Sequence, residues 1–209
     1  MSLSPEKINI NYLKFIEYLQ KYNCYSEQMM NDLGEKIKMA PFSMSLEYGS
    51  AEPGGLIDVT LNVVCKIGAQ INNNVMGRNG QDKIQHPLLY VNPNMLMKVL
   101  LLLNIAKADM FKENKNTWQK EKMGKMYDFV DHKTKMKLGQ RSIYLCQKYG
   151  IKLEEEEFEA FFAIDSNVDE TGACYQSPLY TMVKITKMLT EVELRQKYLQ
   201  NLKIETQEL

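Results

Sequence analysis

The sequence predicts a mainly α-helical bundle with one small inserted β-hairpin. Three observations carry that expectation. Apolar residues recur at helical spacing along most of the chain. Ser4-Pro5 and Asn92-Pro93 each join a capping side chain to a proline suited to a first helical turn. A single stretch around Gly124 replaces the helical period with alternating aromatic residues.

The elements follow in order. After Ser4-Pro5-Glu6, where the acid also favours a helix N-terminus, Ile8, Tyr12, Phe15, Ile16 and Leu19 form one stripe. A second helix is expected from Ser26 to Met39, stopping before Pro41. Leu56, Val59, Val63, Val64 and Ile67 place a third between Leu56 and Ile71. Asn72 to Gln85, with Gly77 and Gly80, reads as an exposed loop. The helix opened by Asn92-Pro93 contains Val99-Leu100-Leu101-Leu102-Leu103, apolar all round, which predicts a central buried helix. Trp118, Tyr127, Phe129 and Asp131 around Gly124 predict the hairpin at about 116–131. Glu154-Glu155-Glu156-Glu157 precedes Phe158, Phe161 and Phe162, and reads as an acidic helix start and not as a catalytic cluster. Pro178 opens a helix to Leu189, and a helical tail continues from Val192 to Leu202.

Composition narrows the function classes. The 209 residues suffice for one domain with a sizeable core, and no internal repeat or linker divides them. Lys+Arg 26 balances Asp+Glu 26, so no global basic excess favours nucleic acid. Only Arg78, Arg141 and Arg195 are arginines, which disfavours a site built on bidentate phosphate forks. Cys24, Cys65, Cys146 and Cys174 form no C-x-x-C pair and are read as buried reduced thiols. With neither a signal-peptide pattern nor an apolar run of membrane-spanning length, a soluble protein in a reducing compartment is expected.

Several motifs carry a resemblance. Glu52-Pro53-Gly54-Gly55-Leu56-Ile57-Asp58-Val59-Thr60-Leu61 resembles the first motif of phage and bacterial HD-domain phosphohydrolases, in which a Gly-Gly-Leu turn precedes an acid, a metal-binding His and a hydroxyl residue. Val59 stands at the His position. Leu101 to Phe111 resembles the motif that names the family, with Leu103 and Asn104 in place of its His-Asp pair and Lys107, Ala108 and Phe111 matching. The hairpin falls where relatives carry a Trp-bearing insertion. Lys137-Leu138-Gly139-Gln140-Arg141-Ser142 is similar to Gly-His-Gly-Glu-Lys-Ser, with Leu138 at the His. A Trp-His pair falls on Ala163-Ile164, and an Ala-Asp on Thr186-Lys187 before Met188-Leu189. The resemblance runs from about Phe42 to Glu191. It implies N-terminal helices at 1–41 packed on an HD-like domain at 42–191, with a tail at 192–209.

The substitutions imply lost chemistry. An HD site holds divalent metal with imidazoles and carboxylates and uses it to activate water. Val59, Leu103, Leu138 and Ile164 offer no lone pair, Asn104 offers a neutral oxygen, and Lys187 brings a cation where an anion is expected. No cofactor and no metal are therefore expected. The chain contains only His86 and His132, and both read as solvated. Asp58 with Asp109 or Asp165 is a weaker candidate carboxylate pair, since those acids can cap helices or face solvent. Lys133, Lys135, Lys137 and Arg141 form the best candidate basic patch, with a solvated face the expected reading.

The leading expectation is a non-catalytic HD-like pseudoenzyme, phage-encoded, serving as a structural or protein-interaction component of the virion or in the host cytoplasm. Its partners would be other phage proteins or further copies of itself; no membrane is implied and nucleic acid is not favoured. Leu194, Tyr198 and Leu202 in the tail are one candidate contact stripe, with packing on the chain's own core as the alternative. A metal-independent nucleotide or oligonucleotide module using Lys107, Arg141 and Lys187 is the second expectation. A hydrolase with a relocated site is the third.

Overall fold

In the computed structural model, which describes residues 3–75, 91–165 and 176–207, the chain is mainly helical with one small antiparallel sheet. Helices α1 (Pro5–Lys21) and α2 (Glu27–Met39) start at serine caps: Ser4 Oγ accepts from Lys7 N–H at 3.2 Å and Ser26 Oγ from Met29 N–H at 3.4 Å. Ser26 Oγ also donates to the Tyr149 carbonyl at 2.9 Å, tying α2 to a helix end 123 positions further along the chain. Helix α3 (Gly55–Val75) runs further than expected and takes in the start of the predicted loop. The remainder of that loop, with His86, lies outside the described residues, as does Cys174.

Helix α4 (Pro93–Leu102) is the hub. Asn92 Oδ1 caps it through Asn94 N–H at 2.9 Å, and it packs on α1 and α3 and on the later helices α8 (Glu155–Phe161) and α9 (Pro178–Gln207). Its apolar run is buried on every side, each large side chain contributing about 1.5–3 kcal/mol. Short α5 (Lys107–Met110) follows a turn held by Ser142, whose Oγ donates to the Leu103 carbonyl at 2.8 Å. Ser142 belongs to α7 (Leu138–Lys148), so the end of α4 is pinned from a helix nearly 40 positions away.

The hairpin differs from its prediction. Strands β1 (Phe111–Glu113) and β2 (Tyr127–Phe129) pair antiparallel, Phe111 opposite Phe129, and helix α6 (Thr117–Met123) lies between them. The sheet therefore begins before residue 116, and Trp118 is helical. The missed signal is Asn116, whose Oδ1 accepts from Gln119 N–H at 3.1 Å. Gly124, φ +59°, is the left-handed residue that ends α6 and not a hairpin turn.

Four further expectations change. Helix α9 runs unbroken across the expected boundary at 192. Within it Leu194 is buried while Leu202 is exposed, so the stripe Leu194–Tyr198–Leu202 is not one surface. Glu157 is more than a helix-start acid: it accepts from Glu154 N–H at 2.9 Å, and it also meets Lys98 Nζ of α4 at 2.6 Å in the core. Cys24 and Cys146 are buried, which pushes both thiols up to about 12, whereas Cys65 is exposed.

Candidate functional site

Val59, Leu103, Asn104, Leu138, Ile164 and Lys187 line one cavity of about 220 Å³. They arrive from different elements: Val59 from the start of α3, Leu103 and Asn104 from the end of α4, and Leu138 from the start of α7. Ile164 comes from the 3-10 turn after α8 and Lys187 from α9. Val59 and Lys187 lie 128 positions apart in sequence, so only the packing of these helices brings them together.

The lining is mixed: Phe42, Val59, Val63, Leu100, Leu103, Leu138 and Ile164 form its apolar half, and Thr60, Asn104, Lys107, Thr186, Lys187, Thr190 and Glu191 its polar half. Thr186 Oγ1 donates to the Met182 carbonyl at 2.7 Å and Thr190 Oγ1 to the Thr186 carbonyl at 2.8 Å, so both hydroxyls bond back to their own helix. Among the described residues the Asn104 side chain has no hydrogen-bond partner. Lys187 Nζ lies 3.6 Å from Glu191 Oε1 at the rim.

Lys107 is strongly perturbed. It is buried, with Nζ 3.4 Å from the ring centroid of Phe42. Burial pulls its ammonium down to about 7; Glu191 opposes that shift and Lys187 adds to it. The Phe42 face also favours the cation. In the sequence Phe42 and Glu191 only bound the resemblance; neither sits in a motif, and both act through neighbours that the fold supplies.

The three residues expected to hold a ligand are divided. Lys107 and Lys187 face the cavity, while Arg141 lines a neighbouring groove with Lys135 and Lys137. Leu138 and Ile164 line both spaces and form the wall between them. Arg141 is already engaged: Nε donates to Asp109 Oδ2 at 2.9 Å and Nη2 donates to the same oxygen. His132, expected to be solvated, is partly buried, with Nε2 3.0 Å from the Asp109 carbonyl oxygen.

The candidate carboxylate pair does not form. Asp58 accepts from Asn11 Nδ2 at 2.9 Å and Asn62 Nδ2 at 3.2 Å. Asp109 is held by Arg141. Asp165 accepts from the backbone N–H groups of Gly139 at 2.8 Å and Gln140 at 3.2 Å, and so caps α7. Among the described residues no group of three or more His, Cys, Asp or Glu side chains could hold a metal ion. No helix among them is long and apolar enough to cross a membrane.

Comparison with known proteins finds no match. That holds for family models, for curated proteins and for solved structures.

Proposed function

We propose that the chain is a non-catalytic protein on an HD-like helical scaffold, acting through protein contacts as a structural or interaction component in the phage setting its motifs suggest. One observation supports the reading. The six positions that the motif resemblance matches to metal-binding or neighbouring polar residues line a single cavity. Of the six, only Asn104 presents an oxygen. Lys187 presents a cation, and at an effective dielectric near 20 its repulsion of a bound ion is about 4 kcal/mol per unit charge at 4 Å. Aliphatic side chains at the other four positions remove the cost of leaving buried polar groups without a metal. A scaffold kept for its shape accounts for that combination.

The test pairs the natural chain with a variant that returns donors to the cavity. Calorimetric titration with Mn²⁺ and Mg²⁺, and hydrolysis of a phosphomonoester and a phosphodiester with and without chelator, should give neither binding nor chelator-sensitive turnover in the natural chain. The quadruple variant Val59→His, Leu103→His, Asn104→Asp, Lys187→Asp should bind one divalent ion. Chelator-sensitive turnover by the natural chain would end the non-catalytic reading. A folded quadruple variant that ignores both ions would end the matching of these positions to a metal site.

A second reading, metal-independent ligand binding, draws on Lys107 and on the Asn104 amide at the cavity wall, which has no partner among the described residues. A cavity of about 220 Å³ is smaller than the ~300–1,000 Å³ of ordinary small-molecule sites. With Arg141 engaged elsewhere, the geometry suits a small anion better than a nucleotide. Thermal shifts with inorganic phosphate and with mononucleotides separate the two, since a bound ligand raises the melting temperature by mass action.

A further inference from the structure

Helix α9 carries two apolar stripes. One, with Leu179, Met182, Val183 and Leu194, is buried against the domain. The other stands on the opposite side. At 100° per residue Ile185, Met188, Val192, Leu199 and Leu202 point away from the first, and all are exposed, Val192 by 54% and Leu199 by 48%. Their spacing is a heptad. Ile185, Val192 and Leu199 recur every seven residues, and Met188, Arg195 and Leu202 do so three residues later. Among the described residues no side chain of α9 beyond Leu194 is buried, so the last turns of this 30-residue helix, about 45 Å long, leave their own domain.

We propose that this second stripe binds a second copy of the chain as an antiparallel helix pair about a two-fold axis. The residues are self-complementary in that arrangement. Ile185 meets the second copy's Leu202, Met188 meets its Leu199, and Val192 meets its Arg195, with the same three contacts repeated by symmetry. Arg195 selects the direction. In a parallel pair it would face the second copy's Arg195 in the middle of an apolar seam. In the antiparallel pair it meets Val192 and lies within one residue's rise of the second copy's Glu191, on the same edge of the seam. Arg195 makes no ion pair among the described residues, and the Glu191 side chain, although 3.6 Å from Lys187 Nζ through Oε1, is more than half exposed and can meet a second cation. The arrangement also fits the domains. Each projecting end lies along the domain-bound half of the other helix, so the two domains sit at opposite ends. This inference does not depend on the reading of the cavity.

Sedimentation equilibrium on the full chain from micromolar to submillimolar concentration should give twice the 24.3 kDa monomer mass. Val192→Glu and Leu199→Glu, both exposed in the single chain, should each weaken association ~10-fold or more with an unchanged far-ultraviolet circular dichroism spectrum. Arg195→Glu should weaken it, and Arg195→Glu with Glu191→Arg should restore it. The direction is read by oxidation, in a background with Cys65 and Cys174 changed to Ser. Mixed Ile185→Cys and Leu202→Cys chains should cross-link to each other, and Ile185→Cys alone should not. A monomer at every concentration overturns the proposal. So does a dimer indifferent to Val192→Glu and Leu199→Glu, or one cross-linked through Ile185→Cys alone.

Discussion

Arg141 on α7 grips Asp109 on α5 through Nε, at 2.9 Å, and through Nη2, and both side chains are largely buried. The pair fastens the short helix after the cavity floor to the helix that forms its wall. It also engages the arginine that, among the described residues, lines the groove beside the cavity. Arg141→Ala should therefore act on stability. Leaving the Asp109 carboxylate buried without its partner costs about 3 kcal/mol, and Arg141→Ala with Asp109→Ala should recover part of it. Urea unfolding of the two single variants and the double variant measures the coupling. An Arg141→Ala chain as stable as the natural one would show that the grip contributes nothing.

Lys98 and Glu157 make the more deeply buried pair. Nζ meets Oε2 at 2.6 Å and also donates to the Lys152 carbonyl at 2.7 Å. Lys98→Met strands the Glu157 carboxylate in the core and should cost about 3–5 kcal/mol, while Lys98→Met with Glu157→Met should cost less than either single change. Denaturant midpoints for the three variants decide this. A double variant as damaged as the sum of its parts would mean that the charges do not act as a pair.

Lys107 links the cavity to pH. Its ammonium titrates near 7 in the folded chain, against an ordinary value of 10.5. Below about 7 it is charged in both states and the full burial penalty is present. Above about 10.5 it is neutral in both and the penalty is gone. Between those limits the unfolded chain binds more protons, so this residue's contribution to stability rises with pH. Lys107→Met should therefore stabilise the protein at pH 6 by an amount on the order of a few kcal/mol, and by progressively less toward pH 9. Melting temperatures of the two proteins across that range give the comparison. An offset independent of pH would place the ammonium in contact with water or an anion.

Gly139 is fixed by close approach. A Cβ there would stand 2.2 Å from the Phe161 carbonyl oxygen and 2.8 Å from Asp165 Oδ2. Gly139→Ala must push the start of α7 off α8 and break the cap in which Asp165 accepts from Gly139 N–H. A loss of about 2–4 kcal/mol is expected. Thermal unfolding checks it; an unshifted melting temperature would mean the two helices can separate freely.

Much of the helical layout was legible because its signals are local. Ser4, Ser26 and Asn92 cap helices through their own side chains, and the run from Val99 to Leu103 is too apolar to face water on any side. The hairpin was only half legible. Alternation at Tyr127 and Phe129 identified one strand, but its partner at Phe111–Glu113 adjoins a helix and has no alternation of its own. The intervening helix hid behind Trp118, which reads equally well as a strand residue. Burial of Glu157 was not legible either, since its neighbours Glu154, Glu155 and Glu156 make it look like one more solvated acid.

A helical domain with a small sheet is already written in the order of the residues, and so is the lack of a metal-donor oxygen or imidazole nitrogen at Val59, Leu103, Leu138, Ile164 and Lys187. Both follow from residue chemistry and short-range periodicity, which need no knowledge of distant neighbours. That these positions share a cavity, that Asp109 engages Arg141, and which stripe of α9 stays exposed become visible in the folded chain alone. Those facts depend on which faces meet when helices separated by dozens of residues exclude water from one core, and that choice is made by packing of the whole chain at once.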